Sequence, residues 1–378
     1  MSEASVASGT ESAVESREVT KGSARVLVAA SGSGGHLIPA LHIMRGVKSL
    51  EPTAIVEFVG AGRPLEEKII IGAGFTRHVV AAAGVKGKGA IALIKLAFVL
   101  PKGFLQCVKL FRRFKPDVVV GVGGYVSVLP VVVAKLMGIP TWAHEAELHP
   151  GLANRFLGYF AKTISTAFAE TKIKGGANLV FTGHPVRPEL RGVEPNPEGR
   201  ELPTRLLVLG GSQGARSLDN AVTGLGELLH ERGIEVVHQC RPDNSELVIN
   251  AYRAAKVKAS VVPFIDDMAG AYQWCDLIIS RSGAGSVAEI GCVNRPTIFV
   301  PYPFQQGTHQ SDNAQTLAKI HKAIVVEETA PEFPRRLKEA LLELLKPDVF
   351  QAMKKAPSDP KGLDAAEVIA RGILELRE

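Results

Sequence analysis

Arg25-Val26-Leu27-Val28-Ala29-Ala30-Ser31-Gly32-Ser33-Gly34-Gly35-His36 decides the fold: a short hydrophobic run breaks directly into a glycine-rich turn. The pattern returns at Val118-Val119-Val120-Gly121-Val122-Gly123-Gly124-Tyr125 and at Arg205-Leu206-Leu207-Val208-Leu209-Gly210-Gly211-Ser212-Gln213-Gly214. Glycine is needed where backbone N–H groups must approach a ligand closely, and a following helix adds the positive end of its dipole. Three such turns in one chain point to phosphates or diphosphates, held at a cleft between two halves.

Working outward, further strands are expected at Ala54–Val59, Val118–Val122, Pro140–His144, Leu179–Thr182, Val236–Gln239, Ala259–Pro263, Leu277–Ser280 and Thr297–Val300. Helical stretches separate most of them, one expected after Pro39 and another from Ala215. Alternating βα units imply parallel sheets with ligands at the carboxyl ends of the strands. The expected class is therefore α/β. A chain of 378 residues is too long for one ordinary core and reads as two domains. Residues 1–23, rich in Ser, Glu, Ala and Thr and without an apolar h-region, read as a disordered tail and not as a signal peptide. The first domain is expected over 24–187 and the second over 205–360. The boundary falls in Val186–Thr204, where Pro188, Pro195, Pro197 and Pro203 crowd together, with 188–204 as linker. The helical pattern within 361–378 is expected to pack back onto the first half.

Bulk properties exclude several classes. The uncharged run Val118–Ala134 contains Gly123, Gly124 and Pro130 and falls short of the roughly 20 apolar residues of a spanning helix. Four scattered cysteines (Cys107, Cys240, Cys275, Cys292) form no CxxC pair and read as small buried residues, not as a disulfide framework or a metal site. The net charge of +6 is unevenly placed. Between Glu67 and Asp117 there is no acidic residue, while Lys86, Lys88, Lys95, Lys102, Lys109, Arg112, Arg113 and Lys115 alternate with Ile91, Leu93, Phe98, Leu100, Phe104 and Leu105. Such a mixture suits an anionic membrane surface; the alternative is a solvated basic helix whose apolar residues are core. No nucleic-acid motif or stacking array of aromatics is present, so nucleic acid is not an expected partner.

Both standard nucleotide signatures fail. Gly32-Ser33-Gly34-Gly35-His36-Leu37 lacks the third glycine of the dinucleotide fingerprint, Glu57 sits inside its strand and not at its tip, and no Walker loop occurs. His36 follows a Gly-Gly pair at a strand-to-helix turn, and its titration range suits a general base. The segment Arg281-Ser282-Gly283-Ala284-Gly285-Ser286-Val287-Ala288-Glu289 offers N–H groups to a diphosphate and a carboxylate to a ribose. The alternative role for Glu289 is a partner of the helix dipole.

These pieces together resemble the MurG family, the UDP-N-acetylglucosamine transferases of peptidoglycan synthesis. The matching motifs are Gly34-Gly35-His36, Gly123-Gly124-Tyr125-Val126-Ser127, His144-Glu145, Gly151-Leu152-Ala153-Asn154-Arg155 and Thr182-Gly183-His184-Pro185-Val186-Arg187. They continue with Gly210-Gly211-Ser212-Gln213-Gly214-Ala215-Arg216, Phe264-Ile265-Asp266-Asp267-Met268, Arg281-Ser282-Gly283-Ala284 and His309-Gln310. The resemblance implies a GT-B fold of two Rossmann-like domains facing across a cleft. It also implies transfer of GlcNAc, with inversion, from UDP-GlcNAc to the C4 hydroxyl of MurNAc on undecaprenyl-pyrophosphoryl-MurNAc-pentapeptide (lipid I). The enzyme would sit peripherally on the cytoplasmic face of the membrane, with the Lys86–Lys115 stretch on the anionic inner leaflet. Cell-wall and division proteins are further candidate partners, and no cofactor or metal is implied.

By the same resemblance, Ile265 lies against uracil, Glu289 on the ribose, and Ser212 with Ala284, Gly285, Ser286, Val287 and Ala288 on the donor diphosphate. Gln310 binds GlcNAc hydroxyls and Arg187 approaches from between the domains. Ser33, Gly34 and Gly35 face the donor sugar and the acceptor diphosphate. The chain departs from the family at Ala146-Glu147, where Gln-Asn is usual, and at His184, where Asn is usual. Glu147, expected at the sugar, would repel a diphosphate if ionised, so it is expected to point away or to hold its proton more tightly. Inversion implies direct displacement by the acceptor hydroxyl, with His36 as base and Glu145 as its competitor. Asp266-Asp267 read as a helix N-cap pair. A relative with another acceptor, a UDP-GlcNAc epimerase and a non-catalytic scaffold are the alternatives that share this fold.

Overall fold

The computed structural model describes residues 22–31, 34–82, 90–194, 201–211, 215–303 and 309–377, the side chains of 90–98 excepted. Ser33, Ser212, Lys86, Lys88 and nearly all of the expected tail lie outside the described residues.

Two parallel sheets organise the chain. The first contains β1 (Arg25–Ala29), β2 (Ile55–Gly60), β3 (Arg77–Val79), β4 (Val118–Gly121), β5 (Thr141–Glu145), β6 (Thr163–Thr166) and β7 (Asn178–Phe181) in the order β3-β2-β1-β4-β5-β6-β7. The second contains β8 (Arg205–Leu209), β9 (Glu235–Gln239), β10 (Ala259–Val262), β11 (Leu277–Ser280), β12 (Thr297–Phe299) and β13 (Ala323–Val325) in the order β10-β9-β8-β11-β12-β13. In each, the order reverses beside the first strand, between β1 and β4 and between β8 and β11. That reversal opens a crevice at the carboxyl ends of the strands, the usual ligand site of an open α/β sheet.

The uniform hydrophobicity of the central strands follows from burial on both faces. On β1, Val26 and Val28 join one core with Leu37, Ile43 and Phe58, while Leu27 and Ala29 join another with Phe111, Val131 and Leu157. On β8, Leu206 and Val208 face one core and Leu207 and Leu209 the other. Each fully buried aliphatic side chain contributes roughly 1.5–3 kcal/mol to this layering. The closing helix Lys361–Glu375 lies along the helix Gly34–Leu50, and its Ile369, Ala370 and Ile373 are part of the same core as Val26. Gly46 permits that approach, since a Cβ there would stand 2.7 Å from Ala366 O.

Several expectations need correction. The first helix starts at Gly34, not after Pro39, so the proline is interior and forgoes only its own hydrogen bond to the preceding turn. β3, β6 and β13 were not legible: β3 and β13 span only three residues each, and Thr163-Ile164-Ser165-Thr166 is too polar to read as a buried strand. Cys292 is only partly buried, whereas the other three cysteines are buried.

Candidate active site

The first crevice is walled by the turns after β1 and β4. Gly123 (φ +77°) and Gly124 (φ +75°) adopt the left-handed backbone that glycine favours. A Cβ on Gly123 would fall 2.4 Å from His36 Cδ2, and one on Gly124 would fall 2.5 Å from Ser31 O. The second glycine turn therefore lies directly on the imidazole at the start of the Gly34–Leu50 helix. Gly34 and Gly35 open that helix. His36 Nδ1 is buried without a hydrogen-bond partner, and burial lowers the pKa of the ring.

Three more histidines crowd behind it. His144, at the end of β5, is 1% exposed, and its Nε2 lies 3.3 Å from Nδ1 of His184, itself 4% exposed. His144 Nδ1 lies 3.0 Å from Ser165 Oγ of β6. Burial, then the neighbouring rings, hold His144 well below the usual range; burial and His36 lower His184 to about 4. His42, one helical stretch beyond His36, is lowered to about 3 by burial and then by the Arg187 and Arg45 cations. The cluster is neutral at physiological pH.

Glu145 closes β5 and organises the loop that follows. It accepts from Glu147 N (2.9 Å), Gly151 N (3.0 Å) and Asn154 Nδ2 (3.0 Å). Burial nevertheless raises its carboxyl to about 7. The neighbouring Glu147 points away from the first crevice to Asn313 Nδ2 on the helix His309–Ala318. Burial raises its pKa as well. Leu148 N donates to Asn313 Oδ1 (3.2 Å) and His149 Nε2 stands 3.3 Å from Asp312, so the 147–149 loop spans from one sheet system to the other.

In the second crevice the helix Ala284–Val293 begins directly after β11, with Gly283 at its N-cap and no side chain capping it. The N–H groups of Ala284, Gly285 and Ser286 therefore have no intrahelical acceptor, a ready anion site. Val287 and Ala288 continue this turn, Val287 buried in the core beneath it. Glu289 lies beyond the first turn, so the dipole-partner reading does not apply; its carboxylate accepts from Arg187 Nε (2.7 Å) and Tyr272 OH (3.0 Å). Gln310 Oε1 accepts from Tyr302 N (3.0 Å), and Ile265 is partly buried against the second core. Asp267 caps the helix Met268–Trp274, accepting from Gly270 N at 2.8 Å, as its position after Ile265 suggested.

The structure thus brings His36 and Glu145 to one side and Arg187, Glu289 and the Ala284–Ala288 turn to the other, with Glu147 reaching across to Asn313. Sequence reasoning assigned no role to Tyr272, Asn313, Asn154 or His42. Asn313 follows Gln310 by about one helical turn, the signal by which the sequence points to it. A buried tyrosine such as Tyr272 carries none.

The glycosyltransferase family 28 N-terminal domain matches residues 26–166 and its C-terminal domain matches residues 205–370. The chain is 38% identical over 359 residues to the UDP-N-acetylglucosamine–N-acetylmuramyl-(pentapeptide) pyrophosphoryl-undecaprenol N-acetylglucosamine transferase of Anaeromyxobacter dehalogenans, covering 93% of each chain. The chain belongs to the MurG family. It is accordingly a glycosyltransferase of the GT-B fold. A protein of the same description from Pseudomonas savastanoi is 35% identical, with 93% of this chain and 99% of that one covered. The crystal structure of Acinetobacter baumannii MurG superposes with a TM-score of 0.74 at 26% identity, over 93% of this chain and 99% of that one. A UDP-GlcNAc 2-epimerase from Neisseria meningitidis shares the fold alone, with a TM-score of 0.64 at 12% identity.

Proposed function

We propose that this glycosyltransferase moves GlcNAc from UDP-GlcNAc to the C4 hydroxyl of MurNAc in undecaprenyl-pyrophosphoryl-MurNAc-pentapeptide, with inversion, converting lipid I to lipid II. The observation that carries the reading is the pairing of two crevices: a neutral imidazole at the mouth of one, and an uncapped helix N-terminus beside Arg187 in the other. In this reading residues 24–187 receive the acceptor, 188–204 link the halves, and 205–360 hold the donor. His36 takes the proton of the attacking hydroxyl, and its neutral state leaves it free to do so at neutral pH. The Ala284–Ala288 turn and Arg187 stabilise charge on the departing UDP. Glu289 uses one lone pair on each oxygen for Arg187 and Tyr272 and keeps others for ribose hydroxyls. Glu145 acts by shaping the loop that carries Glu147, since its own oxygens already accept three hydrogen bonds.

No helix of the described residues is long and apolar enough to cross a membrane. Peripheral attachment to the cytoplasmic leaflet is supported by the helix Ala90–Phe114, where exposed Leu100, Phe104 and Leu105 stand among exposed Lys102, Lys109, Arg112 and Arg113. Transfer of radiolabelled GlcNAc to a short-chain lipid I analogue tests the reading. A disaccharide lipid is expected. Epimerised N-acetylhexosamine with no lipid product would place the chain with the epimerases, and absence of both products would leave a scaffold.

A further inference from the structure

We infer that Ser165, His144 and His184 form a charge-neutral relay that sets whether His184 presents a hydrogen-bond donor or an acceptor to the diphosphate of the sugar donor. The inference rests on the proposal that this diphosphate sits at the start of the Ala284–Val293 helix.

Ser165 Oγ is fully buried and accepts from Trp142 Nε1 at 2.9 Å. Its single O–H has two acceptors within reach, Ala143 O at 3.2 Å and His144 Nδ1 at 3.0 Å. Only two arrangements satisfy the chain when both rings are neutral. If Ser165 donates to Ala143 O, His144 must donate from Nδ1 to Ser165, and His184 must donate from Nδ1 to His144 Nε2. His184 Nε2 is then bare. If Ser165 donates instead to His144 Nδ1, His144 donates from Nε2 to His184 Nδ1, and His184 carries its proton on Nε2. Both arrangements hold the same number of protons and no charge, so burial penalises neither.

The far end of the relay faces the second crevice. A Cβ on Gly285 would lie 3.6 Å from His184 Nε2, which places that nitrogen at the first turn of the Ala284–Val293 helix. Among the described residues no carboxylate hydrogen-bonds the His184 ring, whose recorded partner is His144 and whose titration feels burial and His36. His36 and His42 lie on the Gly34–Leu50 helix, Arg187 follows in the chain, and Glu289 is already paired with Arg187. On the closing segment, Gly362 lies against the backbone of His184, where a Cβ would stand 3.0 Å from His184 O. An imidazole in this setting acts through its tautomer. With a bare Nε2 it accepts from a backbone N–H; with Nε2–H it donates to an oxygen gaining negative charge. Departure of a nucleoside diphosphate favours the second arrangement, and Ser165 and His144 are the positioning residues that supply it.

The test is nitrogen NMR of the full chain labelled with 15N-histidine, with and without UDP, beside calorimetric binding of UDP. Bound UDP is expected to move both His144 and His184 to the Nε2–H tautomer. His184→Phe, which keeps ring volume but no nitrogen, should lose kcat by roughly tenfold to a hundredfold with the KM for UDP-GlcNAc nearly unchanged. His184→Asn, which retains an N–H, should recover most of that loss. Saturating UDP with both tautomers as in the free protein, or His184→Phe at full kcat, overturns the relay alone. Failure of UDP to bind overturns the diphosphate site and the relay together.

Discussion

The two crevices share a sheet order and a glycine turn yet are furnished in opposite ways. Around the first, His42, His144 and His184 are buried, His36 is partly buried, all four are driven neutral, and Glu145 is driven toward its protonated form. Around the second, basic and acidic side chains are paired: Arg187 with Glu289, and Arg281 with Glu328 while also donating to Val300 O (3.0 Å) and Pro301 O (3.1 Å). The contrast teaches how one fold separates two tasks. A site that must take up a proton needs groups whose charge is not locked by a partner. A site that holds a polyanion needs fixed dipoles and cations that stay charged.

The largest expected effect falls on the neutral side. His36→Ala should lower transfer to the lipid acceptor by about 10²- to 10⁴-fold while donor binding persists, the range of a lost general base. Near-normal turnover by that variant in the radiolabel assay would remove His36 from the chemistry and dissolve the contrast. Next comes the paired side. Glu289→Gln leaves Arg187 without its carboxylate and is expected to weaken UDP binding by roughly tenfold or more, as breaking a partly buried pair does, with little change in kcat. Calorimetry that finds unchanged UDP affinity would show the pair to be structural.

Glu145 sharpens the comparison through pH. Its folded pKa, about 7, lies above the 4.5 of an unperturbed glutamate, so ionisation is harder in the folded protein. Stability should therefore be unaffected below pH 4.5, fall between there and about 7, and stay level above. The expected span is about 3 kcal/mol from roughly 1.4 kcal/mol per unit. Denaturant unfolding of the native chain and Glu145→Gln across that interval measures it: a parallel pH dependence for both would assign the fall to other groups. The smallest effect is expected at Asp267→Ala, which removes an exposed N-cap and should cost about 1 kcal/mol in the same unfolding assay without touching the KM for UDP-GlcNAc. A large rise in that KM would instead make Asp267 part of the donor site.

The glycine turns, the main strands and the family motifs were legible because each is a local matter of composition and spacing. Arg25–Ala29 and Arg205–Leu209 are hydrophobic at every position but their first because the sheets cover both faces, and that signal survives without knowledge of the fold. The short strand Arg77–Val79 was not legible because its pairing to Phe58–Gly60, and not its own propensity, makes it a strand. The start of the first helix at Gly34 was hidden by Pro39, which local rules place at a helix beginning.

What the sequence by itself determined is the inventory: two halves built alike, an imidazole behind a Gly-Gly pair, and a carboxylate, Glu289, downstream of a Ser-Gly-Ala-Gly turn, while a donor role for Arg187 came only from the family resemblance. Local chemistry is enough for that, since turns and caps are built from neighbours in the chain. Only the tertiary structure decided the partnerships. It turned Glu147 toward Asn313, gave Glu289 to Arg187 and Tyr272, laid Gly123 on His36, and joined His144 to His184. Those pairs lie far apart in sequence, and it is their shared burial that sets which groups stay charged.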